Sequence, residues 1–336
     1  MKKVIIPEFG ISNLKIVEED PPKPQKYEVL VKIYSVSLNY RDYLTIEGKY
    51  NPNYKLPLVP CSDGAGEIVE IGESVQEWKV GDRVIGVFAP DWVDGKAERK
   101  EIRNTLGGPN DGTLTQYRIF HKNAIVSLPK NLSYSEAATL PCAGLTAWSS
   151  LFVEGNLKPG DTVLVQGTGG VSLAAISLAK SIGATVVATT GNEEKEERLK
   201  FLGVDHVINY NRTPNWGKVA RSLGSGDGID HILEVGGAGT LEESIKAIKP
   251  FGQISLIGIL SGSAGKINLL PVLMQNVRLQ GILVGSKNAL KDLVTCIEKC
   301  EIHPVIDKEF PMESSIEAIE YLKSGSHFGK ICIRNF

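Results

Sequence analysis

The sequence predicts an α/β protein in which a doubly wound, parallel-sheet domain is inserted into a barrel-like, mainly β domain. Three patterns predict it. After Thr162, apolar β-prone runs alternate with helix-forming segments, and a glycine-rich turn (Gly167, Gly169, Gly170) separates the first such strand from the first such helix. Runs such as TVLVQG, TVVATT and ISLIGIL are apolar on both faces, as strands covered by helices must be. Residues 1–125 instead carry short β-like runs divided by turn signals, the signature of a compact all-β domain. A last β-run, Lys330 to Arg334, has no place in the α/β pattern and is expected to return to the first domain. The domains therefore read as 1–150 and 287–336 for the β part and 151–286 for the inserted part.

Taken in order, the N-terminal runs are Tyr27–Val36, Gly66–Ile71, Arg83–Phe88 and Leu114–Ile119, with Gly64, Gly66, Gly72, Gly81 and Gly86 marking tight turns. The polar excursion Asp91–Asp111 reads as a long surface loop beside a ligand site or as a solvated insertion. Ser133, followed three residues later by Glu136, has the form of a capping box, and Pro141 is expected to divide the helical segment after it into two helices. Then come strand Thr162–Val165, helix Ser172–Ser181, strand Thr185–Thr189, helix Glu193–Leu202 and strand His206–Ile208. Helix Trp216–Leu223, strand Ile229–Glu234, helix Leu241–Ile248, strand Gln253–Ile257 and strand Leu279–Val284 complete the alternation. The tail from Ala289 holds two short amphipathic helices before its final β-run.

A chain of 336 residues can bury the cores of two medium domains. Its 35 glycines and 17 prolines lie among frequent apolar residues and so indicate turns, not disorder. A formal charge of −2 argues against general binding to nucleic acid or anionic membranes. No apolar run approaches the roughly 18 residues of a membrane span, and the start, MKKVIIPEFG, has no signal-peptide core, so a cytoplasmic location is expected. The cysteines (Cys61, Cys142, Cys296, Cys300, Cys332) are an odd, scattered set that fits a reducing compartment better than a disulfide framework.

Strand, glycine turn and helix together form a pyrophosphate-binding unit, since glycines let the backbone approach a phosphate held at a helix N-terminus. Where the dinucleotide fingerprint has its third glycine this chain has Ser172, small enough for close helix–strand packing. The second strand ends in Ala188, Thr189, Thr190 and Gly191, without the carboxylate that would bind a ribose 2′-hydroxyl, and Lys195 follows. A neutral, hydroxyl-bearing pocket near a lysine suits a 2′-phosphate, so NADP is favoured, with NAD as the alternative that the nearby Glu193 and Glu194 keep open. No cysteine pair has C-x2-C spacing; Cys296 and Cys300 are four apart on a helical segment, and His206 and His303 read as structural, so no metal site is expected.

These residues carry a family likeness across essentially the whole chain. The markers are SLNYRDYL (Ser37–Leu44), CSDGAGEIVEIG (Cys61–Gly72), KVGDRV (Lys79–Val84), AATLPCAGLTAW (Ala137–Trp148), KPGDTVLVQGTGGV (Lys158–Val171), LGVDHVINY (Leu202–Tyr210) and HFGKICI (His327–Ile333). The chain resembles the medium-chain dehydrogenase/reductase superfamily, nearest its zinc-free, quinone oxidoreductase-like members. The resemblance implies a Rossmann cofactor domain set into a GroES-like catalytic domain, with the active site in the cleft between them. It implies that Asn39 lies near nicotinamide and substrate and that Thr146 contacts the nicotinamide side. Gly167, Gly169, Gly170 and Val171 would hold the pyrophosphate, and Thr189, Thr190, Lys195 and Tyr210 the adenosine end with its 2′-phosphate. The turn Ile257–Gly258–Ile259 and the strand around Val284 would line the carboxamide, with Gly236 as another cofactor-binding residue and Lys330 of the GK motif as a further cofactor contact. Zinc-using relatives carry a His–Glu pair where this chain has Ser62 and Asp63, and a cysteine where it has Leu38 or Asn39. Only Cys142 falls at a ligand position, and the segment Asp91–Asp111, where a structural-zinc lobe would fall, has no cysteine.

The reading is an NADP-preferring, zinc-independent oxidoreductase acting on a small carbonyl, enone or quinone, with Tyr40, Tyr43 or a bound water supplying the proton and Asp42 serving as well as a helix cap. A zinc-free alcohol dehydrogenase and a non-catalytic cofactor-binding redox sensor are the alternatives. The expected partners are a small-molecule substrate and a second copy of the chain, a homodimer paired through the Rossmann sheet edge, for which Gly281–Gly285 is the candidate.

Overall fold

A computed structural model describes residues 1–224 and 226–336 of the chain. It divides into two compact units, Met1–Leu145 with Val284–Phe336, and Thr146–Leu283. In the first unit β1 (Lys2–Ile5) pairs with β2 (Lys15–Glu18) in a small antiparallel sheet that the sequence reading did not foresee. There follow β3 (Glu28–Ser37), α1 (Tyr40–Ile46), β4 (Asp63–Ile71), β5 (Arg83–Gly86), α2 (Arg99–Arg103), β6 (Tyr117–His121) and β7 (Ile125–Ser127). Strand β3 is long because Val29, Val31 and Ile33 alternate with the less buried Lys32 and Tyr34, a period-two pattern that seats one face in the core. It pairs antiparallel with both β4 and β6, and its register against β4 shifts between Leu30 and Val31 and again between Ile33 and Ser35. Such bulges bend the sheet into its barrel-like coil.

The expected surface loop at Asp91–Asp111 is only half correct. Its first part carries the exposed helix α2, but Thr105 and Leu106 are buried. Gly112 lies so close to the strand before β4 that a Cβ there would stand 2.1 Å from the Cys61 carbonyl oxygen. Gly95 faces open space, but Gly107, Gly108 and Gly112 are close-approach residues, and they let the chain fold back against Tyr54 and Cys61.

The helical stretch after Ser133 begins as predicted: α3 (Tyr134–Ala138) opens with a capping box between Ser133 and Glu136. Pro141 does not split it into two helices. Having no N–H to donate, it is accommodated by π-type turns at Leu140–Gly144, after which α4 (Leu145–Trp148) and a second π segment, Ser149–Val153, continue the stretch.

The second unit contains β8 (Thr162–Gln166), α5 (Gly170–Ser181), β9 (Thr185–Thr190), α6 (Glu193–Phe201), β10 (His206–Asn209), α7 (Trp216–Leu223), β11 (Ile229–Glu234), α8 (Leu241–Ala247), β12 (Ile248–Leu256), α9 (Leu270–Met274) and β13 (Arg278–Gly281). Its six strands are all parallel, in the order β10-β9-β8-β11-β12-β13. That is the doubly wound nucleotide-binding order, in which the direction of winding reverses between β8 and β11. Leu164, Val187, Ile232 and Ile254 from four neighbouring strands pack with Trp216 and Ile245 in its core. The expected strand Leu279–Val284 is shorter: β13 ends at Gly281, and Val284 adopts φ 51, a left-handed conformation that a β-branched residue rarely takes. The sheet edge is therefore Arg278–Gly281 and not the run Gly281–Gly285.

The tail supplies α10 (Lys287–Lys299), β14 (Ile306–Pro311), α11 (Ser315–Ser324) and β15 (Lys330–Arg334). Strand β15 pairs antiparallel with β3, Cys332 opposite Ser37, and parallel with β14, which the sequence reading missed. Phe310, Ile319, Ile331 and Ile333 join Val31, Ile33 and Ile68 in the core of the first unit. The final β-run thus completes the first sheet, as its pattern implied.

At Gly66 a Cβ would stand 2.0 Å from the Lys32 carbonyl oxygen of β3. Gly66→Ala should therefore cost about 2 kcal/mol or more of unfolding free energy by forcing β4 off β3; urea denaturation measures it, and a loss under about 0.5 kcal/mol would contradict the close approach.

Candidate functional site

On the second unit, the turn after β8 lies beside the point where the winding reverses. Gly167 has φ 69, a left-handed conformation suited to glycine, and its N–H donates to the Thr189 carbonyl oxygen at 2.8 Å. A Cβ at Gly167 or at Gly169 would meet no atom within 4 Å. These glycines leave open space, then, where those under the barrel fill it. Gly169 caps α5 without a side-chain bond, and Gly170 and Val171 form its first turn, so backbone N–H groups and the positive end of a twelve-residue helix face that space. Such an arrangement suits an anionic group. Ser172 is buried and donates its hydroxyl to the Gln166 carbonyl oxygen at 2.7 Å, so the residue replacing the third glycine ties helix to strand instead of blocking their contact.

A buried network that the sequence reading missed stiffens the neighbouring loops. Glu234, at the end of β11, accepts from the Gly236 and Gly237 N–H groups at 2.9 Å each and from Thr240 Oγ1 at 2.5 Å. Its other oxygen accepts from Gln166 Nε2 at 2.7 Å and Ser244 Oγ at 2.6 Å. The Ile257 and Gly258 N–H groups donate to the Glu234 backbone carbonyl, and Ile259 beyond them is exposed. Gly236 is thus held by the Glu234 carboxylate, and Ile257 and Gly258 by the backbone carbonyl of the same residue. The EVGG motif was its only signal, and a lone Glu within a strand does not reveal five donors.

At the end of β9, Thr189 and Thr190 are buried, and the Tyr210 N–H donates to the Thr190 carbonyl oxygen. The Tyr210 ring, 44% exposed, lies on Gly191, whose added Cβ would meet it at 2.5 Å. Asn192 caps α6 by accepting from the Lys195 N–H, which sets Lys195 in the first turn beside this strand end. Arg212, which the sequence reading did not single out, pairs with Glu193 and Glu196. Glu193, which follows the strand end, is thereby engaged by a guanidinium. Thr146 is buried in α4, with its carbonyl accepting the Ser150 hydroxyl at 2.7 Å.

On the first unit, Asn39 caps α1 through a reciprocal pair with Asp42, whose Oδ2 accepts the Asn39 N–H at 2.8 Å. Lys330, delivered by β15 and only 6% exposed, donates to the Leu38 carbonyl oxygen and to Asn39 Oδ1 at 2.6 Å. Asp63, fully buried at the start of β4, accepts from Ser62 Oγ at 2.7 Å and from the Cys142 N–H at 3.1 Å. Arg41 turns the other way, donating to the Leu106 and Gly108 carbonyl oxygens and to Thr105 Oγ1, over the Phe88 ring. Asn39 and Lys330 are therefore in direct contact, with Asp42 and Asp63 around them. Tyr40 is 40% exposed and its ring lies 5.5 Å from that of Tyr43. Tyr43 packs in the barrel core beside Lys49 and Lys323 and is not brought into this group.

Burial pushes the Asp42 carboxyl up to about 6; Arg41 opposes this, Asp63 adds to it, and the Asn39 N–H and Lys330 pull it down. Burial likewise raises Asp63, against the charge of Lys330 and hydrogen bonds from Ser62, Asn39 and the Cys142 N–H. The Cys142 and Cys61 thiols are driven well above their ordinary range, chiefly by burial. A zinc ion fits this group poorly. At the positions that zinc-using relatives fill with ligands stand an amide whose oxygen already faces an ammonium, a serine hydroxyl in place of an imidazole, the Asp63 carboxylate already holding two donors, and Cys142. Among the described residues no cluster of three or more His, Cys, Asp or Glu is arranged to hold a metal. No described helix is long and apolar enough to cross a membrane.

Comparison with known proteins gives two family matches: an alcohol dehydrogenase GroES-like domain over residues 25–130, and a zinc-binding dehydrogenase domain over residues 170–299. A zinc-type alcohol dehydrogenase-like protein of Schizosaccharomyces pombe is 43% identical over 97% of this chain and 96% of its own length. A quinone oxidoreductase of Mus musculus is 28% identical, covering 97% and 95% of the two chains. A crystal structure of a NAD-dependent alcohol dehydrogenase superposes with a TM-score of 0.91 at 32% identity, over 100% of each chain.

Asp42 binds its proton more tightly in the folded chain, at about 6, than an ordinary aspartate does, at 3.8. Its contribution is thus full below about pH 4 and falls as pH rises toward 6, a loss of about 3 kcal/mol at about 1.4 kcal/mol per unit. Urea unfolding from pH 4 to 8 should show Asp42→Asn gaining on the wild type between pH 4 and 6, with a constant difference above; parallel profiles would contradict the shift.

Proposed function

The chain belongs to the medium-chain dehydrogenase/reductase superfamily and is an oxidoreductase, and from that premise we propose that it is an NADP-preferring, zinc-independent enzyme that reduces a small carbonyl, enone or quinone. The observation that carries the cofactor reading is the open glycine cradle at α5, combined with a second strand that ends in Thr189 and Thr190 and no carboxylate. Family members bind NAD(P) through such a cradle. Gly167, Gly169, Gly170 and Val171 would hold the pyrophosphate, while Thr190, Lys195 and Tyr210 would receive the 2′-phosphate, with Arg212 near enough in sequence to Tyr210 to join them. One similar structure is that of a NAD-dependent enzyme, and NAD is the reading this preference must displace.

The nicotinamide, when bound, supplies the hydride. The residues of the chain have the complementary tasks of excluding water, orienting the acceptor and delivering a proton to its oxygen. Asn39 and its neighbours would offer the polar surface for that oxygen. Of the two tyrosines in NYRDY, Tyr40 supports the donor role better, since its ring is accessible whereas Tyr43 is packed into the core. Zinc independence is supported by the poor ligand set at Asn39, Ser62 and Cys142, although the Schizosaccharomyces pombe relative is described as zinc-type. That relative and the NAD-dependent structure favour a second reading, oxidation of an alcohol, which would require a base where Tyr40 stands.

A homodimer through the second sheet is also proposed. Leu269, Leu270, Leu273 and Met274 are exposed around α9, beside the edge strand β13. Such an edge with apolar neighbours is stabilised by pairing with a second copy. Leu273→Glu should shift the mass in light scattering from dimer to monomer.

Steady-state kinetics with enones, quinones, aldehydes and alcohols should give a kcat/KM at least about tenfold higher with NADPH than with NADH, and Lys195→Glu should invert that order. Equal use of both cofactors would end the NADP preference. Tyr40→Phe should lower kcat about 100-fold, and turnover only of alcohols would favour the second reading.

A further inference from the structure

The first unit buries a set of charges that its fold alone does not require. Asp42 and Asp63 are inaccessible, Lys330 and Arg41 nearly so, and the groups belong to α1, β4 and β15. Buried charges persist only when they neutralise one another. Arg41 is spent on the Thr105–Gly108 loop, with its guanidinium 3.9 Å from Asp42. Lys330 is then the opposing charge with the largest pull on Asp63. Its ammonium is also directional. A lysine can only donate, so its bond to Asn39 Oδ1 leaves the carboxamide a single orientation, oxygen toward Lys330 and nitrogen away. The nitrogen, Nδ2, is buried and completes no hydrogen bond of good geometry. Both Asp63 oxygens already hold other donors, Ser62 Oγ and the Cys142 N–H. Asp63, the carboxylate that this amide faces, is thus shared with other donors, and an amide nitrogen carries two N–H groups, so an N–H oriented by a buried cation is left for a ligand.

We propose that Lys330 is the positioning residue of the substrate side: its fixed ammonium holds the Asn39 carboxamide so that an oriented N–H, backed by a buried positive charge, faces the place where relatives with a full ligand set hold a metal. This rests on the reading of the chain as a carbonyl, enone or quinone reductase. The reacting oxygen gains negative charge as hydride reaches the substrate carbon, and a preorganised positive group in a dry site stabilises that charge without reorganising. The proton that neutralises the oxygen comes from Tyr40 or water.

Lys330→Met alone leaves Asp63 buried without its countercharge and is expected to lower the melting temperature, so the decisive variant is Lys330→Met/Asp63→Asn, compared with Asp63→Asn. The measurements are kcat, KM and NADPH affinity by fluorescence titration. The expected result is a kcat about 100-fold below that of Asp63→Asn, with KM changed less than about threefold and NADPH affinity unchanged. Lys330→Arg, which retains charge and donors, should recover to within about tenfold of the wild type. A kcat within about threefold of Asp63→Asn would overturn the inference. So would a tenfold loss of NADPH affinity at unchanged kcat, which would make Lys330 a cofactor contact. A wild type that binds NADPH yet reduces no carbonyl, enone or quinone would instead overturn the function, and the inference with it.

Discussion

The burial of Lys330 against Asn39 is the contact on which the first unit depends. It joins residues 291 apart, and it is made only because β15 pairs with β3 and brings the terminal GK motif under the N-terminus of α1. Once an ammonium is placed there, the neighbouring choices become intelligible. Asp63 and Asp42 can be buried because a cation faces them, and Asn39 can serve as cap because its side-chain oxygen is held. The loop 105–112 must then fold back to occupy Arg41, which requires glycine where it meets Cys61. A surface loop, a helix cap and a C-terminal strand are thereby one electrostatic arrangement.

The second unit solves a different problem with the same residue type. There, glycines leave room for something outside the chain: Gly167 and Gly169 face open space at a helix N-terminus, whereas Gly66 and Gly112 admit a neighbouring strand. The open turn at the start of α5 is built by local backbone geometry and the dipole of that helix. The loops beside it are drawn together by Glu234, which gathers donors from Gln166, Gly236, Gly237, Thr240 and Ser244. A carboxylate so fully hydrogen-bonded stiffens its surroundings and leaves little capacity to bind a ligand itself.

Much of this was legible in the sequence where structure is local. The doubly wound alternation, the glycine turn, the capping box at Ser133 and the orphan β-run at the C-terminus all follow from short-range patterns, and the two-domain α/β class follows from them. What was not legible depended on partners distant in the chain. Lys330 and Asn39 were each marked as site residues through family resemblance, but nothing local says that they touch. The Asp91–Asp111 segment looked like solvent-facing loop because its composition is polar, although Thr105 and Leu106 are pinned by a guanidinium from α1. Pro141 looked like a helix break because the π-type turn that absorbs its missing N–H leaves no composition signal. Val284 looked like strand because it is β-branched, yet it takes a left-handed turn where the chain leaves the second unit.

The central claim is that this chain transfers hydride from NADPH to its substrate with its own fixed charge in place of a bound metal. The most direct measurement follows deuterium from 4-deuterated NADPH into the reduced product while the metal content of the same preparation is determined by mass spectrometry. The account predicts deuterated product at full rate from protein holding less than about one metal ion per ten chains, with no effect of a strong chelator. Turnover that rises in proportion to bound zinc, and disappears when zinc is removed, would contradict it.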